Sequence, residues 1–472
     1  MTVQKQKVIP ITPVEIEQSL LAVKKTIYPR AVTGWFANWR ITLVLLTQLL
    51  YYSLPWFSWD GRQAVLFDLA ARKFYILGLV LWPQDFIYLT GLLVIAAFSL
   101  FLFTAIAGRL WCGYACPQTV YTEIFMWIAR KIEGDRPKQI KLDQMPWNAE
   151  KIGKKTAKHF TWLALSVWTG FTFVGYFVPI QDLLPSLLQW TLGPWEIFWI
   201  FFYGLATYGN AGFMREQVCI YMCPYGRFQS VMFDADTLTV TYDVNRGEPR
   251  GSRSKSEDYH TAQLGDCVDC HICVQVCPTD IDIRDGLQYE CIGCAACIDA
   301  CDQVMDKMGY PKGLIRYTTE NVINGKYTDS GILTHILRPR TLIYSVVLIA
   351  IISTFAITLF NRVPLRVDAI RDRIAIRETA EGLIENVYRL QIINMDDKAH
   401  RYVITVTGLP GIQIADSATT QIIGPLQNQD SVVRLQLDPA HAKAPSSPVR
   451  LTVQAEDNQK LQKTVKATFL SR

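Results

Sequence analysis

Eight of the twelve cysteines in this 472-residue chain fall within one stretch, CVDCHICVQVCPTDIDIRDGLQYECIGCAACIDAC at 267–301. Two residues separate Cys267 from Cys270 and Cys270 from Cys273; three separate Cys273 from Cys277, and Pro278 follows. Cys291, Cys294, Cys297 and Cys301 repeat that spacing. A C-x2-C-x2-C turn offers three thiolates to three corners of one cubane, while the fourth cysteine, three residues on, ligates the neighbouring cubane. The crossed pattern assigns Cys267, Cys270, Cys273 and Cys301 to a first [4Fe–4S] cluster and Cys291, Cys294, Cys297 and Cys277 to a second. Asp302 follows Cys301 where a second proline is expected, a departure that leaves the ligand set intact. Zinc closes with four ligands in two C-x2-C pairs, and disulfides need an oxidising compartment. Neither suits two runs of four.

A chain of this length implies several domains, and its composition is strongly segregated. All thirteen tryptophans lie between Trp35 and Trp199, all twelve cysteines between Cys112 and Cys301, and the last hundred residues hold neither. The net charge of +5 is modest, so its placement matters more than its sum. The opening MTVQKQKVIPITPVEIEQ shows no apolar core with a small-residue cleavage site, and no secretory signal is expected.

Residues 1–36 are polar and read as a cytoplasmic arm, helical from Pro13 to Lys25. Five apolar runs follow that are long enough to cross a bilayer: about 38–57, 86–107, 160–181, 195–213 and 341–360. The nine apolar residues FYILGLVLW at 74–82 are too few and predict an interfacial or re-entrant piece. No span carries a charge at its centre, so the interiors read as plain anchors. Residues 108–159 hold ten Lys and Arg, 58–85 hold three and 182–194 none, which places 108–159 and the N-terminus in the cytoplasm. Residues 214–340 then lie inside and the tail outside. Every cysteine falls on the reducing side that cluster thiolates require. The Lys151–Lys158 run reads as part of this topological signal, not as a nucleic-acid patch.

From about residue 375 the period changes. NVYRLQIINM, RYVITVTGL, DSVVRLQL, VRLTVQAE and KTVKATFL alternate apolar and polar between turn residues, and about seven strands predict a small immunoglobulin-like sandwich. His400 and His441 read there as lone surface histidines.

A second cysteine constellation sits in WCGYACPQ (111–118) and VCIYMCPYGR (218–227), each with C-x3-C-P. Four-residue spacing puts both thiols of a pair on one helix face, and the following proline tends to stop or bend that helix. Each pair lies just beyond the cytoplasmic end of a predicted span. Buried cysteines often serve as small hydrophobes, but the repeated motif makes Cys112, Cys116, Cys219 and Cys223 a candidate copper or redox site. Soft thiolates suit Cu(I), zinc or iron–sulfur alike.

His271 reads as a packing or tuning group, because the cysteines already complete the ligand set. Gly265, Gly286 and Gly293 read as turn residues around the clusters; neither a P-loop nor G-x-G-x-x-G occurs. No flavin or nicotinamide signature is present. His159 borders the third span and His335 precedes the fifth, so paired axial ligands for intramembrane haem are lacking.

Taken in order, WCGYACPQTVYTEIFMWIARKIEGDR, VCIYMCPYGRFQS, the 267–301 array and NVYRLQIINMDDKAHRYVITVTG closely resemble the CcoG family of cytochrome c oxidase accessory proteins, also called FixG or RdxA. The likeness covers nearly the whole chain. It implies a role in assembly of cbb3-type cytochrome oxidase in bacterial inner membranes, through reduction of Cu(II) to Cu(I). It implies the same eight cluster ligands, and oxidase assembly factors or copper carriers as partners. By the same resemblance, Cys112, Cys116, Cys219 and Cys223 match the family's membrane-proximal pairs.

The expected fold is a multi-domain membrane protein. A cytoplasmic arm (1–36) precedes four transmembrane helices (37–213) with the cytoplasmic loop 108–159. A bacterial-type 2[4Fe–4S] ferredoxin-like insert (214–340), a fifth helix (341–361) and a periplasmic immunoglobulin-like domain (362–472) complete it. The leading function is a membrane-bound electron-transfer protein acting as a cupric reductase. The alternatives are a quinol-oxidising relay resembling NapH or NosR, or a non-catalytic assembly scaffold. No nucleic-acid partner is expected; the electron donor and assembly into a homo-oligomer are left open.

Overall fold

Apolar helices make up much of the first part of the chain. In order they are α1 (Trp35–Ser53), α2 (Phe86–Ala107), α3 (Leu110–Tyr114), α4 (Pro117–Glu133), α5 (Ala149–Val174), α6 (Pro194–Thr207), α7 (Pro224–Met232), α8 (Ala296–Met308) and α9 (Pro339–Phe360), with shorter pieces between. The computed structural model describes residues 27–255, 263–328, 331–332, 336–371, 376–415, 419–442 and 444–471. The expected Pro13–Lys25 helix and His335 lie outside the described residues. The chain divides into two units, Met1–Ile351 and Ile352–Arg472.

Two helical segments, Pro83–Ala107 and Pro339–Phe360, are long and apolar enough to cross a membrane. The other three predicted spans correspond to helices whose bounds or composition differ from the expectation. α1 ends at Ser53 because Pro55 cannot continue it, and its Arg40 is buried. α5 starts eleven residues before the predicted span and stops at Val174, with a new helix opening at Ile180. Its apolar part, Phe160–Val174, is about 22 Å long at 1.5 Å per residue. α6 is followed by π-helical turns over Tyr208–Met214 and Val218–Met222. Where α5 and α6 cross, a side chain at Gly170 would sit 2.1 Å from the Ile200 carbonyl oxygen, so only glycine admits this approach.

The expected interfacial or re-entrant piece at 74–82 is built largely of strand. β1 (Val65–Asp68), β2 (Lys73–Ile76) and β3 (Leu79–Leu81) form an antiparallel meander. Asp68 accepts a hydrogen bond from the Ala71 amide, and Arg72 takes a left-handed conformation, which together turn the chain.

Lysines 151–158 are built into the fold. Lys155 and Lys158 flank the buried Glu133 carboxylate at 3.0 and 2.8 Å, and the Lys151 ammonium donates to the Asp143 and Met145 carbonyls.

The iron–sulfur stretch belongs to a small lobe in this first unit. Strands β4 (Thr239–Tyr242) and β5 (Ile315–Thr318) pair antiparallel beside α8. Asp299 of α8 accepts from the Ala37 amide at 2.7 Å and the Phe36 amide at 3.3 Å, capping α1. Arg338, just before α9, donates to the Ala105 carbonyl near the end of α2 and pairs with Asp234 and Asp236. The lobe is thereby pinned to the ends of three long helices.

The second unit is a two-sheet sandwich, as the alternation predicts. Its strands are β6 (Leu365–Arg371), β7 (Ile384–Asn394), β8 (His400–Thr407), β9 (Gln413–Ile414), β10 (Thr420–Ile423), β11 (Asn428–Leu437), β12 (Ser446–Ala455) and β13 (Gln462–Leu470). One sheet runs β9-β11-β7-β6, with Arg377–Glu378 also pairing β7, and the other β10-β8-β12-β13. Tyr388, Leu390, Ile392, Leu435, Leu451 and Phe469 fill the space between them. His400 corrects the surface reading. It is buried, with Nδ1 2.7 Å from Asp457 Oδ2 and Nε2 3.2 Å from Asp396 Oδ2.

Candidate iron–sulfur and thiol centre

Each C-x2-C-x2-C loop is shaped by left-handed residues on either side of its middle cysteine. Asp269 (φ 50°) and His271 (φ 54°) flank Cys270; Gly293 (φ 65°) and Ala295 (φ 58°) flank Cys294. These reversals curl the backbone around a central space, and a short helix starts directly after each: Ile272–Gln275 and α8.

Two cavities of about 360 Å³ each lie inside the loops. One is bounded by Cys267, Cys270, Cys273 and Cys301, with Tyr242, Met305 and Leu314 among its other walls. The other is bounded by Cys277, Cys291, Cys294 and Cys297, with Val240, Ile281 and Ile292. The eight cysteines line these two cavities: Cys267, Cys270 and Cys301 one, Cys277, Cys291, Cys294 and Cys297 the other, and Cys273 both.

The residues present suit iron–sulfur clusters. Each cavity offers four thiols in an otherwise largely apolar shell, and no carboxylate side chain enters either wall. Among the described residues no three His, Cys, Asp or Glu side chains converge on one point as a single ion would need. A cubane instead spreads its ligands over four corners. Burial pushes the thiols of Cys273 and Cys291 up to about 12, and those of Cys294, Cys297 and Cys301 are raised by burial as well. Such thiols become thiolates only by exchanging their protons for a cation.

Cys270 is the exposed cysteine of the set. Behind it Arg284, its side chain 3% exposed, reaches Asp269 and Asp282 at 2.6 Å each and His271 Nδ1 at 2.8 Å. His271 thus packs against this clamp, as the packing reading holds.

The C-x3-C-P pairs differ from the expected shared helix face. Cys112 lies within α3, whereas Cys116 is the residue before α4 and Pro117 occupies that helix's first position. Cys219 lies in a π-helical turn, and Cys223 precedes α7, which starts at Pro224. Both prolines begin a helix instead of ending one, so each pair straddles a helix junction. The four thiols nonetheless form one electrostatic neighbourhood. Burial pushes Cys112 up to about 12 and Cys219 up to about 11; Cys116 and Cys223 add to both shifts and Arg109 opposes them.

This thiol group abuts the second cluster cavity. Cys112 packs against the apolar cluster that includes Ile292 and Cys294. A side chain at Gly113 would fall 2.9 Å from the Gly293 and Ile292 carbonyl oxygens, so glycine at 113 lets α3 touch the loop backbone. Arg40 donates to the Cys294 carbonyl at 3.1 Å. A further cavity of about 440 Å³ runs from Cys294, Ile292 and Thr279 to Cys219 and is walled also by Met126 and Glu216. The arginine and this cavity escape sequence reasoning, because nothing local in NWRITL marks Arg40 as a partner of a loop some 250 residues on.

Comparisons with known proteins find iron–sulfur matches over both cysteine-bearing parts of the first unit. Residues 214–320 match a 4Fe-4S dicluster domain, 89–134 a 4Fe-4S binding domain, and 355–472 the immunoglobulin-like fold at the C-terminus of FixG. The chain is 40% identical to protein RdxA of Cereibacter sphaeroides over 92% of its length and 93% of the relative's. It is 38% identical to nitrogen fixation protein FixG of Rhizobium meliloti over 87% and 84%, and 41% identical to protein RdxB of C. sphaeroides over 82% and 83%.

Proposed function

This chain belongs to the FixG family, and on that premise we propose that it is an iron–sulfur electron-transfer protein that reduces Cu(II) to Cu(I) at a membrane, for assembly of a cbb3-type oxidase. The clusters supply one-electron storage when bound; the protein's part is to hold them, set their exposure and position what they reduce. Cys267, Cys270, Cys273 and Cys301 would hold one cluster, and Cys291, Cys294, Cys297 and Cys277 the other. Exposed Cys270 marks the face an external one-electron donor would approach. The region of Cys112, Cys116, Cys219 and Cys223 would receive copper and retain it as Cu(I), a soft ion that thiolates favour.

The observation that carries this reading is the unbroken series of cavities sharing Cys273 and then Cys294, which ends at Cys219. The resemblance supplies copper as the substrate and the oxidase as the destination. We further place the lobe in the cytoplasm and the sandwich in the periplasm, a topology supported by the basic residues of 108–159 and by the absence of cysteine beyond Cys301.

Anaerobic stopped-flow tests the reaction. Protein reduced with dithionite should lose its reduced-cluster spectrum on mixing with Cu(II), with one Cu(I) formed per electron. Cys112→Ser and Cys219→Ser should slow this on the order of 10- to 100-fold while iron content holds. Reduced protein that Cu(II) leaves unoxidised would refute cupric reduction.

A further inference from the structure

The cavity between Cys219 and Cys294 is not explained by the two cluster sites or by the four-thiol group. Its walls mix two kinds of metal donor: the carboxylates of Glu123 and Glu216, and three sulfurs, the Cys219 and Cys294 thiols and the Met126 thioether; Cys294 belongs to the second cysteine loop and Glu123 is taken up by Arg40 and Arg130, which leaves Glu216, Cys219 and Met126. It also carries two guanidiniums. Arg215 is fixed to the Gly212 and Ile27 carbonyls at 3.2 Å each. Arg40 is bound to the Cys294 carbonyl, 4.0 Å from Glu123, and its buried Nε has no hydrogen-bond partner. Both arginines are buried or half-buried and cannot swing out of the wall without breaking these contacts.

Resting on the cupric-reductase reading, we infer that this cavity is the chamber in which the copper ion is reduced, with Glu216, Cys219 and Met126 as its ligands. The argument runs on ligand type and charge. Cu(II) takes oxygen donors well, whereas Cu(I) prefers thiolate and thioether, so one chamber offering both can accept the first and stabilise the second. Two fixed guanidiniums disfavour a dication more than a monocation. They therefore bias the bound couple toward Cu(I). On binding, the Cys219 thiol gives its proton to water as the Cu–S bond forms. The one electron that turns Cu(II) into Cu(I) would come from a reduced iron–sulfur cluster held by Cys277, Cys291, Cys294 and Cys297.

The test uses the intact holoprotein in detergent, under anaerobic conditions, with Cu(I) buffered by bicinchoninate as the probe. Met126→Leu and Glu216→Gln should each weaken Cu(I) retention by on the order of tenfold. In Met126→Leu, copper-edge X-ray absorption should show one sulfur neighbour fewer, while iron content and cluster EPR match the parent. Arg40→Gln should lower the midpoint potential of the bound copper couple. Unchanged affinity and sulfur count in Met126→Leu and Glu216→Gln would overturn the chamber, even if the parent reduces copper normally. A parent that binds Cu(I) as described but never reduces Cu(II) would sink the cupric-reductase reading and leave the binding site standing.

Discussion

The cluster lobe and the C-terminal sandwich hold themselves together by opposite means. In the sandwich, strands of up to eleven residues alternate inward and outward, and a continuous apolar layer including Leu390, Leu435, Val449 and Leu451 is sealed from water. The lobe has two four-residue strands β4 and β5, the helix α8, two loops bent by left-handed residues, and a small apolar core including Val240, Ile298, Leu314 and Ile315 beside its cysteine-lined cavities. Much of its cohesion would come from what the cysteines bind. The difference teaches that the lobe's fold and its chemistry are one property, while the sandwich can vary its surface without risk to its fold.

Iron removal should separate the two most sharply. Treating the full chain with ferricyanide and chelator should abolish hydrogen-exchange protection across 267–301 and leave β7, β11 and β12 protected, since metal-binding free energy is folding free energy in such sites. A lobe that stays protected without iron would break the comparison. The reverse experiment is Leu435→Ala. Leu435 is fully buried between the sheets, and the truncation should cost the sandwich about 2–5 kcal/mol in denaturant melts, with iron content and EPR unaltered.

A smaller effect should follow from the clamp at the first cysteine loop. Arg284→Ala leaves Asp269 and Asp282 without their shared partner, a loss on the order of 1–3 kcal/mol. It should make the cluster held by Cys267, Cys270, Cys273 and Cys301 bleach faster in air than its neighbour, which EPR can resolve. The smallest effect concerns acid. The hydrogen bond from His400 holds the Asp457 carboxyl below the usual carboxylate range. A depressed folded pKa contributes stability above the unfolded value of about 4, and that contribution is lost as pH falls through the folded value. The sandwich of the parent should therefore lose thermal stability more steeply below about pH 4 than that of Asp457→Asn.

Legibility in the sequence follows the same division. The grouping of eight cysteines into two fours was readable because the spacing is covalent and local: a loop of two residues can bend only a few ways. The sandwich was readable from period-two alternation. The C-x3-C-P pairs were half readable, since spacing showed their kinship but not that Pro117 and Pro224 would begin helices and split each pair. His400 was misjudged because Asp457, its nearer partner, lies 57 residues away. The strand pairing of the 74–82 segment was not legible, because composition alone does not show that its apolar residues pair laterally. Arg40 and Met126 had no local signal, since only packing brings them to Cys294 and Cys219, whereas Glu216 stands three residues before Cys219 and could have been noticed.

The central claim is that this chain stores electrons on two cubanes held by cysteines 267–301. Iron and acid-labile sulfide measured on anaerobically purified protein, with EPR of the reduced state, test it most directly. The account predicts about eight irons per chain and a signal from two magnetically coupled [4Fe–4S] centres. About four irons or fewer, with a single uncoupled signal, would contradict it.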